Sequence, residues 1–220
     1  MPERPRIIGK TKRGKTLPKS TRPKNDITVS DTQKFFDDLN LVYAPQIVFA
    51  DNCRHLQNIS IDDLPFYHED PDKYDQLSEK YGHLIGRSYV APGVIKFISH
   101  EVGYGYFATE GVSKDEFVGE YTGLIQYRNE VENSAYAWSY PKGGDFQESL
   151  PEKISLNAAI YGNEMRFVNH SDRPSLRTER VFHGGNWHVV FIAKRDIQAG
   201  EEFRVSYGQR YWRKRKKLSW

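Results

Sequence analysis

The chain has 220 residues, of which 38% are hydrophobic and 28% charged, which is enough for one domain with a substantial core and a small accessory region. It has no run of about 18 apolar residues and no apolar segment behind its basic N-terminus, so we expect neither a membrane span nor a secretory signal. The single cysteine, Cys53, excludes an intramolecular disulfide and a cysteine-rich zinc cluster. No metal site is predicted.

Basic residues are concentrated at the two ends of the chain. Residues 1–25 carry nine Lys and Arg against one Glu, and residues 213–217 are five consecutive basic residues. Since the formal net charge is only +3, the residues between are net acidic. This pattern predicts a body that attracts a cationic partner, and ends that contact nucleic acid or act as a nuclear address. Tails that only aid solubility fit the composition equally well.

The first part of the chain has a weak structural signal. Residues 1–25 are predicted to be a disordered basic tail. Residues 26–92 are predicted to be a partly helical accessory region. It would hold a short helix at 32–40 capped by Ser30 or Asp31, an extended segment at 41–50 and a second helix near 72–81. The sequence assigns this region no role beyond packing on the main domain and lining part of a substrate groove.

From Gly93 onward, short segments rich in β-branched and aromatic residues alternate with glycine-containing turns. This pattern predicts a mainly β (α+β) domain of small curved sheets over residues 93–212, with a basic tail at 213–220. One helical turn is predicted at 157–164. The predicted strands are 94–98, 104–109, 116–121, 124–127, 135–140, 187–193 and 202–206.

Residues 103–108 match the dinucleotide-binding pattern G-x-G-x-x-A. That motif requires a preceding strand and a helix that opens on it. The following residues show no helical period and include Gly111, so we expect no Rossmann-type unit. Two glycines would still let the backbone approach a flat ligand closely, with Tyr104, Tyr106 and Phe107 near enough to stack.

A polar triplet, Asn169-His170-Ser171, directly follows the apolar pair Phe167-Val168. Its amide, imidazole and hydroxyl groups each need a partner if they are buried. Taken alone, this run fits a polar turn that ends a strand as well as a site that binds the edge of a nucleobase.

Four segments occur in a fixed order, and together they are more specific than any one alone. This ordered set resembles the SET domain of protein lysine methyltransferases, over roughly residues 93–212. The segments are Gly103–Ala108 (GYGYFA) and residues 119–123 (GEYTG), 161–171 (YGNEMRFVNHS) and 200–208 (GEEFRVSYG).

The resemblance implies a fold in which residues 166–171 thread under the C-terminal segment in a knot-like crossing, an exception to the usual rule against threading. It also implies S-adenosyl-L-methionine as cofactor, bound by the backbone of the G-x-G segment and by Asn169 and His170, which hold its adenine and amino-acid parts. The cofactor-binding residues that it implies are Gly103, Tyr104, Gly105, Tyr106, Arg166, Asn169, His170, Tyr207 and Trp212.

Tyr207 is the catalytic residue that the resemblance implies. An aromatic channel would align the substrate amine, exclude water and favour the incoming cation. No strong base is needed, because a neighbouring sulfonium cation and burial both lower the pKa of the lysine. The implied channel residues are Tyr121, Tyr136, Trp138, Tyr161, Tyr207 and Tyr211.

The chain departs from the family pattern in several places. Many relatives carry zinc-binding cysteine clusters around the domain, whereas here Tyr211-Trp212 would have to form the far wall of the channel. Val205 replaces a tyrosine found in some relatives, which leaves the degree of methylation open. Asn157-Ala158 stands where the family has Asp-Ala, which is a milder departure. The cysteine-poor compactness is similar to SET proteins of intracellular bacteria such as chlamydiae, so we expect an intracellular site of action, in a host nucleus or a bacterial cytoplasm.

The resemblance therefore predicts a protein-lysine N-methyltransferase whose substrate is a basic protein, such as a histone or a histone-like protein. The alternative is a catalytically idle SET fold that serves as a binding module, with basic tails that contact nucleic acid. No membrane partner is expected, and a homodimer is compatible with the sequence.

Overall fold

The computed structural model describes residues 31–58, 60, 67–68, 70–140 and 153–212. Short strands dominate, as the sequence predicted, with few helices. Within the described residues, no helix is long and apolar enough to cross a membrane. The predicted tails at 1–25 and 213–220 lie outside the described residues.

The helices are α1 (Thr32–Asp38), α2 (Pro71–Gly86) and α3 (Gln209–Trp212). The strands are β1 (Val42–Tyr43), β2 (Val48–Phe49), β3 (Gly93–Ser99), β4 (Gly103–Ala108), β5 (Phe117–Glu120), β6 (Leu124–Tyr127), β7 (Ala137–Ser139), β8 (Ile154–Asn157), β9 (Tyr161–Gly162), β10 (Asn169–His170), β11 (Leu176–His183), β12 (Asn186–Ala193) and β13 (Arg204–Val205). Short 3-10 helices occur at Asp51–Leu56, Arg128–Glu130, Ser134–Tyr136 and Glu164–Phe167.

The strands form several small sheets. The largest has the order β2-β6-β8-β7, and a second has the order β11-β12-β5. The hairpin β3-β4 and two short parallel pairs, β1-β9 and β10-β13, complete the described sheets. This arrangement confirms the predicted fold class of small β-sheets.

The main core lies where these sheets face one another. All four residues of β8 are buried, as are seven of the eight residues of β12, so both strands are covered on two sides. Trp187, Tyr106 and Phe203 are among the largest fully buried side chains. Strands buried along nearly their whole length are typical of sheets covered on both faces.

The accessory region docks on the main domain through aromatic rings. Phe35 and Phe36 of α1 are buried and lie against Phe167, with ring centres 5.7 Å away in both cases. Phe35 also meets Tyr104 edge-to-face at 5.0 Å, and Phe36 meets Tyr43 at 5.2 Å. The accessory region therefore supports the segment that leads into the Asn-His run.

Helix α2 is longer than the predicted segment at 72–81. Pro71 occupies its first turn, and the Asp70 side chain caps it by accepting a hydrogen bond from Lys73 N. The helix buries Tyr81 and Ile85 in a second apolar cluster with Phe117, and it covers one side of β11.

Three local predictions need correction. The helical turn predicted at 157–164 is wrong, because the turn occurs at Glu164–Phe167, where the Asn163 side chain accepts a hydrogen bond from Met165 N. The strand predicted at 135–140 begins as a 3-10 turn and is regular only over Ala137–Ser139. Asp31 stands before α1 without a side-chain capping bond, and Ser30 lies outside the described residues.

A buried carboxylate also joins the accessory region to the main domain. Glu164 is 1% exposed, and the Tyr43 hydroxyl lies 3.2 and 3.3 Å from its two oxygens. Burial raises the pKa of Glu164, while hydrogen bonds from Tyr43 and Thr32 act in the opposite direction. The main domain thus carries a buried acid that donors from the accessory region satisfy.

Tyr43→Phe is expected to lower the free energy of unfolding by about 1–3 kcal/mol, because it leaves a buried acceptor short of a donor. Urea denaturation would measure the loss. Tyr161→Phe, on the strand paired with β1, is the matched control and should change stability much less, because no hydrogen bond of its hydroxyl is found among the described residues. Equal losses in both variants would contradict this account.

Candidate active site

The predicted site residues converge where β4, β10 and β13 meet. The parallel pairing of β10 with β13 sets Asn169 beside Arg204 and His170 beside Val205. This places the Asn-His run directly against the C-terminal segment, which is the contact that a knot-like crossing requires. No Rossmann-type unit forms here, because β4 pairs antiparallel with β3 and is followed by another strand.

Asn169 links three of the sequence segments. Its side-chain amide donates to Tyr104 O at 3.0 Å and to Glu202 Oε1 at 2.8 Å. Glu202 in turn accepts a 2.7 Å bond from Arg204 Nε, and its side chain is only 6% exposed. Both amide protons of Asn169 are thus used, which leaves Oδ1 as the atom that can accept a bond from a ligand.

The two glycines of β4 differ in their surroundings. Gly103 adopts a positive φ of 83°, and open space lies where a side chain would be. At Gly105 a Cβ atom would stand 2.7 Å from both Glu202 Oε1 and Ile98 Cδ1. A side chain at position 105 would therefore displace the carboxylate that holds Asn169.

The aromatic residues of β4 do not share one environment. Tyr104 is half-buried and meets Phe35, Phe97 and Phe167 at the edge of the cleft. Tyr106 is 1% exposed and donates its hydroxyl proton to Ala91 O at 2.7 Å. The expectation that the Tyr106 side chain is available to stack on a ligand is therefore wrong, because its ring packs in the core.

His170 is fixed by the backbone of the catalytic candidate. Its Nδ1 accepts a hydrogen bond from Tyr207 N at 3.1 Å, so the neutral ring carries its proton on Nε2. That nitrogen lies 3.4 Å from Asp172 Oδ1. The ring also packs on Trp212, with centres 4.8 Å apart. This hydrogen bond thus fixes the His170 ring and the Tyr207 main chain relative to each other.

The Tyr207 hydroxyl donates its proton to Val168 O at 3.0 Å. Burial, together with the neighbouring Tyr211 and Tyr136, raises the pKa of Tyr207 well above its usual value. The side chain is therefore a neutral phenol whose proton is committed to a carbonyl. Its oxygen lone pairs remain available to accept a bond, and the group is unsuited to act as a base.

Further aromatic residues form a wall next to Tyr207. The Tyr121 hydroxyl donates to Tyr136 O at 2.7 Å, and burial together with the nearby Tyr207 raises the pKa of Tyr121. Tyr211 meets the Tyr207 ring edge-on at 4.7 Å. The structure therefore brings together four of the predicted channel residues.

The two other predicted channel residues differ in their contacts. Trp138 packs against Tyr121 of the wall at 5.8 Å and against Phe191 at 6.0 Å. Tyr161 is half-buried in β9 beside Val42, and within the described part of the chain no ring contact joins it to the other channel residues.

Arg166 stacks on the wall. Its guanidinium carbon lies 4.4 Å from the centre of the Tyr136 ring, and its Nε donates to Ala158 O at 3.0 Å. A permanent cation therefore stands against one face of a predicted channel ring. The cofactor contact that the sequence implies for Arg166 stays a prediction.

Trp212 closes the cleft from α3. Its ring lies parallel to Tyr207, with centres 6.3 Å apart. Its indole N–H is buried and has no hydrogen-bond partner in the part of the chain that the structure describes. An unsatisfied buried donor at this position suits a ligand with an acceptor atom.

Residues 103–208 match the family profile described as "SET domain". This part of the chain is a SET domain. The chain is 35% identical over 127 residues to the histone-lysine N-methyltransferase EZH2 of Chaetomium thermophilum, which is 53% of this chain and 8% of that protein. It is 30% identical over 105 residues to the histone-lysine N-methyltransferase MEDEA of Arabidopsis thaliana, covering 48% and 15% respectively. The chain thus spans a small part of these relatives.

A solved structure supports the fold over a longer stretch. ATXR5 in complex with histone H3.1 mono-methylated on R26 superposes with a TM-score of 0.58 over 82% of this chain and 86% of that chain. The identity is 17%, so this likeness concerns the fold alone. It extends beyond the SET domain into the accessory region.

A buried ion pair joins the neighbouring strands β5 and β12 of the SET domain. His188 Nδ1 lies 2.7 Å from Glu120 Oε1, and both side chains are buried. Burial alone would lower the pKa of His188, but the Glu120 carboxylate more than reverses this, and the pKa lies above 6.5. His183 behaves oppositely, because burial and the His188 charge lower its pKa.

The pH dependence follows from these directions. The stability that His188 gains from Glu120 is fully present below pH 6.5 and is lost as the pH rises through the higher pKa of the folded state. The test uses His183→Gln as background, because the pKa of His183 is itself shifted by His188. At low pH we expect this variant to unfold at a higher denaturant concentration than His183→Gln/His188→Gln, and the difference between the two midpoints to shrink as the pH rises. A difference that grows with rising pH would contradict a stabilising His188–Glu120 ion pair.

Proposed function

We propose that the chain is a protein-lysine N-methyltransferase that transfers a methyl group from S-adenosyl-L-methionine to a lysine amine. The main support is the neutral Tyr207 phenol, which donates its proton to Val168 O. It lies where the G-x-G strand, the Asn-His run and the aromatic wall meet. The match of residues 103–208 to the SET-domain profile supports the proposal.

The cleft offers groups that fit this cofactor. The open space at Gly103, the acceptor Oδ1 of Asn169 and the unpaired indole N–H of Trp212 would hold its polar parts, next to His170. When bound, the cofactor supplies a methyl group on a sulfonium cation. The protein's own residues then have to bind, orient and desolvate the lysine.

The lysine must arrive as a neutral amine, although its usual pKa is about 10.4. A cation about 4 Å away at an effective dielectric near 20 opposes its charge by about 4 kcal/mol, or roughly three pKa units. Arg166, stacked 4.4 Å from the Tyr136 ring, adds positive charge beside the channel. The Tyr207 oxygen can then accept an N–H of the amine and aim its lone pair, so no protein base is required.

We further propose a basic protein as substrate, such as a histone or a histone-like protein. The net acidic body of the chain would steer a cationic segment to the cleft. The names of the relatives, histone-lysine N-methyltransferases, support this class. We also propose that the enzyme acts inside the cell, in a host nucleus or a bacterial cytoplasm, and that the basic ends contact nucleic acid.

The test is a transfer assay with methyl-labelled S-adenosyl-L-methionine, core histones and a bacterial histone-like protein. Label in either protein is the expected result. No label, despite measurable cofactor binding and salt-sensitive binding of DNA, would favour the idle binding module over the enzyme.

A further inference from the structure

A second pocket lies between the accessory helix α2 and the SET domain. It has a volume of about 160 Å³ and is bounded by α2, β7, β11 and β12. Its walls include the rings of Tyr74 and Trp138, the hydroxyls of Ser139 and Thr178, and the cations of Lys73 and Arg180. Trp138 is the one predicted channel residue in its lining, which contains none of Tyr121, Tyr136, Tyr207 and Tyr211, so the pocket is distinct from the proposed methyl-transfer cleft.

Two arginines of β11 differ in a way that marks this pocket. Arg177 donates to Asp115 at 2.8 Å, to Ala193 O at 3.1 Å and to Glu179 at 3.4 Å. Arg180, three residues later, makes no hydrogen bond or ion pair within the described residues, and its Nε atom is buried. The strand therefore carries one fully paired guanidinium and one unpaired guanidinium that lines a pocket.

An unpaired, partly buried cation is costly, because it loses hydration without gaining a counter-charge. The effect is visible at Arg180, whose pKa burial lowers to about 10. Glu179 also lines the pocket, but its recorded bond goes to Arg177. The Glu179 charge therefore offsets the burial of Arg180 only in part, and within the described residues it forms no hydrogen bond or ion pair with Arg180.

The other residues of the pocket indicate what kind of group an anionic ligand would carry. Tyr74 packs edge-to-face on Trp187 at 5.2 Å, and Trp138 is fixed against Phe191 at 6.0 Å, so both pocket rings are held by the core. Fixed rings favour a flat apolar group, and a guanidinium matches the two oxygens of a carboxylate. Lys73, on the first turns of α2, adds a second positive charge.

We propose that this pocket binds a carboxylate carried on an aromatic or apolar body, with Arg180 as the anchor. The ligand is either a free small acid or an acidic residue of a protein segment, and the chemistry that recognises it is the same. The accessory region would then do more than pack, since α2 completes the site. This proposal does not depend on methyl transfer.

The test is titration calorimetry of the full chain with 3-phenylpropionate, its neutral amide 3-phenylpropionamide, and the capped peptide acetyl-Gly-Phe-Asp-Gly-amide. We expect 3-phenylpropionate to bind, the amide to bind at least about tenfold more weakly, and Arg180→Gln to lose a similar factor. Binding of the peptide as well would identify a protein segment as the source of the carboxylate, and its failure to bind would identify a free acid.

Two further variants keep the test decisive. Arg195 is paired with Glu201 outside the pocket, so Arg195→Gln should leave 3-phenylpropionate binding unchanged. Arg180→Met should not lower the melting temperature without ligand, because it removes an unpaired buried charge. Equal binding of acid and amide, binding that survives Arg180→Gln, or no binding of the acid or the peptide would overturn the proposal.

Discussion

Tyr207→Phe is expected to lower the rate of methyl transfer by about 100- to 1,000-fold, the usual cost of removing one positioned polar group from a transition state. The variant loses the hydroxyl that donates its proton to Val168 O and whose oxygen would accept a hydrogen bond from the substrate amine. The affinity for S-adenosyl-L-methionine should change little, because the Tyr207 main chain, and not its hydroxyl, holds His170. Single-turnover kinetics and calorimetry would separate the two effects.

Tyr81→Phe is the matched control. Its hydroxyl also donates to a backbone carbonyl, Asp115 O at 3.2 Å, but it lies in the second apolar cluster beneath α2. Its transfer rate should stay close to that of the unmodified protein. A Tyr207→Phe protein with unchanged turnover would disprove the role assigned to this hydroxyl.

Asn169→Ala is expected to weaken the binding of S-adenosyl-L-methionine by about 10- to 100-fold, the equivalent of one or two hydrogen bonds to charged groups. The substitution removes the Oδ1 acceptor and leaves Tyr104 O and the Glu202 carboxylate without their shared donor. Three segments of the cleft would lose a common contact, so the free energy of unfolding should fall as well.

Asn186→Ala makes the same change on the β11-β12 hairpin, where the amide donates to Gly184 O and, among the described residues, to no other group. Its cofactor affinity should equal that of the unmodified chain. If Asn169→Ala bound the cofactor normally, the cleft built from β4, β10 and β13 would be the wrong place for it.

Much of the fold could be predicted because the signals were local. The strand at Leu124–Tyr127 was predicted to the residue, and the failure of the dinucleotide pattern followed from the lack of a helical period after it. Strand β11 was missed, because Arg177, Glu179 and Arg180 interrupt its apolar pattern. These charges are tolerated through ion pairs on one arginine and a pocket at the other, which are tertiary features that no local pattern encodes.

The candidate site was predicted as a set of segments, but not as a set of contacts. Sequence order identified Asn169, His170 and Tyr207, which the structure brings together. It did not reveal that the Glu202 carboxylate accepts hydrogen bonds from both Asn169 and Arg204, although Glu202 stands in the G-E-E motif. The placement of the Arg166 cation over a channel ring depends on how β9 and the following turn pack, which spacing alone cannot show.

The most direct test of the central claim is to locate the transferred methyl group. Core histones would be incubated with the protein and a deuterated methyl donor, and tandem mass spectrometry would place the heavy methyl on individual residues. We predict heavy methyl on a lysine side chain, and almost none with Tyr207→Phe. Heavy methyl on no lysine, from a protein that binds the cofactor, or equal labelling by the variant, would contradict the account.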